Sequence, residues 1–134
     1  MRKRRVFLTG GSRGIGLATL KLLKKEGYEI IAPQRSELDL ASNDSIDEYI
    51  RKNKNQKFDI IINNAGINYP QWIEEITDDN LLDTIQVNLI APIRLTRGLV
   101  SGMKKRNWGR VVNISSIFGV VARGKQVLYS SSKH

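Results

Sequence analysis

Four short apolar segments alternate along the chain with longer stretches in which apolar residues recur at helical spacing. The apolar segments lie at residues 5–9, 29–33, 58–62 and 109–115, and each predicts a buried strand. Near-continuous apolar strands that alternate with helices are typical of a parallel sheet covered on both faces. The pattern therefore predicts a doubly wound α/β fold in a single domain over residues 1–134.

Helical periodicity and capping residues predict the segments between the strands. The first helix covers residues 14–25, with Gly27 as the stop signal after it. The second begins at a Ser42 or Asn43 cap and continues to about residue 52. A third, long helix begins at a Thr77 cap and continues to about residue 105.

Length and composition limit the class of protein. The chain has 134 residues, of which 40% are hydrophobic and 26% charged, as is usual for one globular domain. It contains no cysteine and no apolar run near the ~18 residues that cross a bilayer. The basic N-terminus is followed by an apolar run that stops at Gly10, too short for a secretory signal. We expect a cytoplasmic protein that does not associate with membranes.

The formal net charge is +9, from 22 basic and 13 acidic residues. Such an excess attracts polyanions, including nucleic acid and phosphorylated cofactors. Aromatic residues are not interleaved with the basic ones and no nucleic-acid-binding motif is present, so we expect solvated faces and no specific nucleic-acid binding.

A glycine-rich segment connects the first predicted strand to the first helix: Thr9-Gly10-Gly11-Ser12-Arg13-Gly14-Ile15-Gly16. Glycines allow the backbone to approach a pyrophosphate, and a helix N-terminus offers free N–H groups. The alternative is a tight turn at a close helix–strand crossing. A strand before the loop and a helix after it favour a Rossmann-type nucleotide site.

The segment after the second strand bears on the choice of cofactor. It contains Gln34, Arg35 and Ser36, with no acid where NAD-binding folds often hold a ribose. Arg35 and Ser36 suit a 2′-phosphate, and Arg13 adds a second cation. The sequence favours NADP(H) over NAD(H), the alternative being that Arg35 is a solvated loop residue.

Three further motifs follow in order: Asn63-Asn64-Ala65-Gly66 after the third strand, Asn113-Ile114-Ser115-Ser116 after the last, and Tyr129-Ser130-Ser131-Ser132-Lys133 near the end. Asn88 lies between the first two. Together with the glycine loop these motifs resemble the short-chain dehydrogenase/reductase family, and they are closest to its 3-oxoacyl reductases. The resemblance extends over nearly the whole chain.

The resemblance implies a hydride transfer between NADP(H) and a carbonyl or alcohol substrate. It assigns cofactor contacts to Gly10, Ser12, Arg13, Gly14, Ile15, Gly16, Asp39, Asn64, Ala65, Gly66, Tyr129 and Lys133, which Arg35 and Ser36 supplement. Asn88, Ser116, Tyr129 and Lys133 would be catalytic, with Tyr129 as general acid/base. Independently of the resemblance, Lys133 lies one helical turn after Tyr129, where its charge favours the phenolate. We assign no metal ligands.

Two features depart from the family pattern. The short segment between the second strand and Asp39 leaves no room for the helix and third strand that most members insert there. The chain also ends at His134, so we expect a truncated frame or a fragment, and a non-catalytic dinucleotide-binding remnant is the alternative to an active enzyme. We expect a homo-oligomer that forms through the last strand, which is predicted to be an exposed apolar edge, or through the apolar face of the long helix.

Overall fold

The computed structural model describes residues 2–134 and contains one parallel sheet of four strands. The strands are β1 (Arg5–Leu8), β2 (Glu29–Ile31), β3 (Ile60–Asn63) and β4 (Arg110–Asn113). Their spatial order is β2-β1-β3-β4, with Phe7 of β1 opposite both Ile31 and Ile61. The predicted fold class and all four strands are confirmed, with strand ends that differ by up to two residues.

Within the described part of the chain, six α-helices connect and cover the strands: α1 (Gly14–Lys25), α2 (Asn43–Asn53), α3 (Asp78–Ile85), α4 (Ala91–Leu99), α5 (Ser101–Lys105) and α6 (Val127–Lys133). A π-helical turn, Gln86–Ile90, joins α3 to α4, and two short 3₁₀ turns occupy Ile73–Glu75 and Ile117–Gly119. None of the helices within residues 2–134 is long and apolar enough to cross a membrane.

Side chains that alternate along the strands divide the core between the two faces of the sheet. Val6, Leu8 and Ile62 form one cluster with α1 residues such as Leu20 and Leu23. On the other face lies the larger cluster, which α2 and α4 cover: Phe7, Leu38, Ile46, Tyr49, Phe58, Ile61, Ala91, Leu95, Leu99 and Met103. The sheet is doubly wound, as its apolar pattern predicts.

The predicted helix ends rest on identifiable hydrogen bonds. Gly27 has φ +84° and follows α1 in a paired C-terminal motif, in which Gly27 N donates to Lys24 O and Tyr28 N to Leu23 O. At the start of α2, Ser42 Oγ accepts from the backbone N–H of Ser45, three residues on. Thr77 caps α3 in the same way.

The prediction of one continuous helix over residues 77–105 is wrong, because this segment is divided into α3, the π turn, α4 and α5. The π turn interrupts it, and there Ala91 N donates to Gln86 O, five residues back rather than four. Pro92 gives the physical reason, because it has no N–H for the carbonyl of Asn88 and its ring collides with a carbonyl four residues back in a regular helix. A second interruption at Val100 separates α4 from α5.

The two departures from the family pattern have structural counterparts. Residues 32–42, all of them described, contain turns but no helix or strand, which confirms the predicted shortening. β4 is an edge strand of the described sheet, and its four residues are exposed, with Val111 and Val112 at 42% and 40%. This confirms the predicted apolar edge.

Candidate functional site

The segments that follow β1 and β3 are joined by the side chains of Thr9 and Asn64. The buried Thr9 Oγ1 accepts hydrogen bonds from the backbone N–H groups of Asn64 and Ala65, both at 3.1 Å. In return, Asn64 Nδ2 donates to the carbonyls of Thr9 at 3.0 Å and Gly10 at 3.1 Å. These four bonds fix the backbone of the glycine loop against the loop after β3.

The geometry of the glycine loop requires two of its glycines. Gly10 has φ +70°, and a Cβ there would lie 2.9 Å from Asn64 Nδ2 and from Ala65 Cα. A Cβ at Gly16 would overlap the Gly10 carbonyl and lie 2.5 Å from Asn64 Nδ2. The close helix–strand crossing, which the sequence offered as the alternative to a nucleotide site, is present, and it brings together Gly10, Gly16, Asn64 and Ala65.

The N-terminus of α1 is open to solvent. Ser12, Arg13, Gly14 and Ile15 are all exposed, and Gly14 has φ +52° with open space where a Cβ would lie. No side chain caps the helix, and its first turn contains no acid. The unpaired N–H groups and the positive end of the helix dipole are therefore available to an anion such as a phosphate.

The predicted adenosine side of the site lies beside Gly10. Arg35, Asp39 and Gly10 line a cavity of about 230 Å³ together with Leu38, Leu40, Ala41, Ile67, Tyr69, Asp83 and Val87. Arg35 Nε lies 3.6 Å from Asp39 Oδ1, and its side chain is 84% exposed, so its guanidinium remains accessible. Ser36 is exposed on the same turn but does not line this cavity.

The side chain of Asn88 holds the loop after β3 in place. Asn88 Oδ1 accepts from Ile67 N and Asn88 Nδ2 donates to Ile67 O, both at 2.9 Å. The same Nδ2 donates to Ser132 Oγ of α6 at 2.9 Å. Asn88 thus connects the π turn, this loop and the helix that bears Tyr129. Because Pro92, four residues later, has no N–H, the backbone carbonyl of Asn88 lacks the usual helical donor.

Lys133 and Tyr129 lie on the same side of α6. Lys133 Nζ is 5.9 Å from the centroid of the Tyr129 ring and donates to Ile114 O at 3.0 Å. A Cβ at Gly66 would lie 3.2 Å from Lys133 Nζ and 3.3 Å from Asn88 Oδ1, so Gly66 leaves the space in which they meet. Burial lowers the pKa of the Lys133 ammonium below its ordinary value.

Ser116 caps the 3₁₀ turn that packs against α6. Its Oγ accepts from Phe118 N at 3.2 Å, which leaves its hydroxyl proton free to be donated. Ser115 Oγ donates to Lys133 O at 2.5 Å, and His134 Nδ1 lies 2.7 Å from Gly119 O. The segment 115–119 and the end of α6 are therefore held side by side.

Sequence reasoning missed three groups that position the site, namely the Thr9 hydroxyl, the Ser132 hydroxyl and the backbone of Ile67. A threonine at the end of a predicted strand was the available signal for the first. It also missed a groove of about 460 Å³ between α4 and β4, which Lys133 borders but Tyr129 and Ser116 do not. Within residues 2–134 no cluster of three or more metal-ligating side chains is found.

A parallel doubly wound sheet with a glycine loop and an open helix N-terminus at its carboxyl edge is typical of nucleotide-binding α/β proteins. The family model described as short chain dehydrogenase matches residues 36–134. The chain belongs to the short-chain dehydrogenase family.

Curated proteins of similar sequence agree with the assignment to this family. The chain is 32% identical to an acetoacetyl-CoA reductase from Cupriavidus necator, over 99% of this chain and 64% of the relative. It is 28% identical to the 3-oxoacyl-[acyl-carrier-protein] reductase MabA from Mycobacterium avium, over 97% and 56%. The chain thus spans about three-fifths of the length of these relatives.

Solved structures show the same fold. A short-chain dehydrogenase from Streptomyces avermitilis superposes with a TM-score of 0.91 at 28% identity, covering 98% of this chain and 56% of that one. A 4-hydroxyisoleucine dehydrogenase complexed with NADH gives 0.90 at 27% identity, with 98% and 64% covered.

Proposed function

We propose that the chain supplies the cofactor-binding and acid/base residues of an NADP(H)-dependent oxidoreductase acting on a carbonyl or hydroxyl group. The observation that carries the proposal is the meeting of Lys133, Asn88 and Gly66, with Tyr129 beside Lys133, at the same sheet edge as the glycine loop. The two reductases named above act on 3-oxoacyl and acetoacetyl thioesters by their names, which supports a carbonyl substrate of that kind.

The residues present fit a dinucleotide. The pyrophosphate would lie at Gly10, Ser12, Arg13, Gly14, Ile15 and Gly16, where the N-terminus of α1 is uncapped and the close crossing keeps side chains away. The adenosine would lie in the cavity beside Asp39, and the nicotinamide ribose beside Asn64-Ala65-Gly66, Tyr129 and Lys133. When bound, the cofactor supplies or accepts the hydride.

The chain's own residues would handle the proton. The Tyr129 hydroxyl donates a proton to the substrate oxygen during reduction and recovers it during oxidation. One of the three ammonium protons of Lys133 is used on Ile114 O, which leaves two for the ribose hydroxyls and for stabilising the phenolate. The Ser116 hydroxyl donates to the same substrate oxygen, and the Asn88 carbonyl can accept a hydrogen bond from a relay water.

The preference for NADP(H) rests on the accessible guanidinium of Arg35 and on exposed Ser36 and Arg13. Arg35→Ala should weaken NADPH binding by about 1.5–3 kcal/mol, the scale of a hydrogen bond to a charged group, and leave NADH binding unchanged. Isothermal titration of the chain with each cofactor tests this. Arg51→Ala, an exposed arginine of α2, is the matched control and should change neither affinity. Equal affinity of the unmodified chain for NADPH and NADH would overturn the cofactor assignment.

A further inference from the structure

The residues that precede and begin the four strands form the edge of the sheet opposite to the glycine loop. We call residues 2–5, 24–29, 54–59 and 104–110 the basic edge. Buried Asp59 joins three of these segments, because its carboxylate accepts from Arg2 at 2.7 and 2.9 Å, from Arg5 N at 2.8 Å and from Arg106 at 3.2 Å. Arg5 pairs with Glu29 of the remaining segment at 2.8 Å. The four segments thus form one connected surface.

Charge is distributed unequally between the basic edge and the rest of the chain. The basic edge holds twelve of the 22 basic residues and three of the 13 acidic ones, so it carries a formal charge of +9. This equals the net charge of the whole chain, and the other residues carry equal numbers of basic and acidic groups. The excess predicted from composition is therefore concentrated at one edge of the sheet.

Most cations of the basic edge are exposed and have no acidic partner. Those at positions 3, 4, 24, 25, 54, 57, 104, 105 and 110 form no ion pair with a carboxylate among residues 2–134, whereas Asp59 and Glu29 are already paired. The lysines that end α1 and α5 also complement the helix dipoles. Lys3, Arg4, Lys57 and Arg110 lie outside the helices, so the dipoles do not account for them.

Trp108 holds two of these cations in place. Arg4 lies 4.2 Å and Arg110 5.2 Å from the centre of a Trp108 ring, in cation–π contact. None of the large hydrophobic side chains exposed within residues 2–134 belongs to the basic edge. Stable binding to a membrane usually takes an apolar or lipid anchor in addition to charge. The surface therefore fits a polyanion that is recognised by its charge alone.

We propose that the basic edge binds the phosphate backbone of nucleic acid, independently of base sequence. Lysine and arginine neutralise backbone phosphates, and the release of condensed counterions supplies the free energy of binding. Because the dinucleotide site lies at the opposite edge of the sheet, both ligands can be bound at once. This binding needs no base-reading motif.

Fluorescence anisotropy with labelled duplex DNA of two unrelated sequences tests the proposal. The logarithm of the association constant should fall with the logarithm of salt concentration with a slope of about −4 or steeper, equally for both sequences. The combined change Lys24→Gln, Lys54→Gln, Lys104→Gln should reduce the magnitude of that slope by about 2–3 and weaken binding at low salt at least tenfold. Saturating NADPH should leave DNA affinity unchanged.

The control variant is Arg97→Gln, Arg123→Gln, Lys125→Gln, which removes the same charge from three exposed residues outside the basic edge. It should weaken DNA binding less than threefold, and circular dichroism should show that both variants fold. Equal losses in the two variants would overturn the proposal, as would the absence of DNA binding at low salt. Equal binding to polyglutamate, or to phosphatidylcholine vesicles with about one-fifth phosphatidylserine, would also overturn it in favour of another partner.

Discussion

Tyr129 provides the sharpest test at the scale of single residues, because one oxygen atom separates it from phenylalanine. In a longer form of the chain that has reductase activity, Tyr129→Phe should lower kcat at least about 100-fold, the usual contribution of a general acid. Cofactor affinity should change little, since the ring is retained beside Lys133. Steady-state kinetics with NADPH and a panel of ketones measures this. The control is Tyr28→Phe, because Tyr28 follows the C-terminal end of α1, away from the glycine loop. Unchanged turnover in Tyr129→Phe would remove Tyr129 from the mechanism.

Asp59 governs stability rather than chemistry. Burial alone would raise its pKa, but hydrogen bonds from Arg2 and Arg5 N and the charges of Arg2 and Arg106 outweigh burial, so the pKa lies below its ordinary value. A carboxylate with a lowered folded-state pKa stabilises the fold above its unfolded pKa of about 3.9, and this contribution is lost as pH falls through the folded value.

Asp59→Asn should therefore lower the free energy of unfolding at pH 7 by about 2–3 kcal/mol, the scale of hydrogen bonds to a charged group. The difference from the unmodified chain should shrink as the pH falls below about 4. Urea unfolding at a series of pH values measures this difference in the free energy of unfolding. The control is Asp47→Asn, because the exposed Asp47 also pairs with an arginine, Arg94. A difference that stays constant down to the lowest pH would contradict the account.

The sequence was sufficient to predict the geometry of residues whose contacts are local. Gly10, Gly16 and the Tyr129–Lys133 pair stand out because a tight loop and one helical turn are short-range features. The partners of Thr9 and the role of Ser132 could not be predicted, because their hydrogen bonds join residues 44–56 positions apart. Such pairings exist only after the sheet and helices have packed.

At the scale of elements, β4 is the exposed feature with the clearest consequence. An apolar edge strand offers unpaired backbone groups and side chains to a second chain, so the purified 134-residue chain should self-associate at micromolar concentration. Val112→Lys should reduce the weight-average mass measured by analytical ultracentrifugation toward that of the monomer, since edge lysines oppose strand pairing. The matched change Val120→Lys, at an exposed valine outside the sheet, should leave the mass unchanged. If the unmodified chain stays monomeric at high concentration, the predicted self-association through β4 is wrong.

Element types were more predictable than element boundaries. The strands and α1 follow from apolar runs and from Gly27, which sets the end of the helix by its positive φ. The π turn did not follow from periodicity, because Leu81, Ile85, Leu89 and Ile93 keep a four-residue spacing across it. Pro92 was the signal: it lies four residues after Asn88 and removes the donor that a regular helix would need there.

At the scale of the whole molecule, the two ends of the sheet differ in chemistry. The carboxyl edge holds the glycine loop, Asn88 and Lys133, and the opposite edge holds the excess positive charge. The proposed acid/base residues, Tyr129 and Lys133, lie on α6, a helix of seven residues beside an edge strand. A helix this short is marginal on its own, so we expect the 134-residue chain to bind cofactor weakly and to show no appreciable turnover.

The most direct test of the proposed dinucleotide site is a titration of the ¹⁵N-labelled chain with NADPH followed by two-dimensional amide NMR, which detects even weak binding. Shifts should concentrate at Gly10–Gly16, at Arg35 and Ser36, and at Asn64–Gly66, because these residues form the carboxyl edge of the sheet and the turn beside it. Gly16→Ala should abolish them, since a Cβ there overlaps the Gly10 carbonyl. Shifts confined to the basic edge, or none at millimolar NADPH, would contradict the assignment of this edge as the cofactor site.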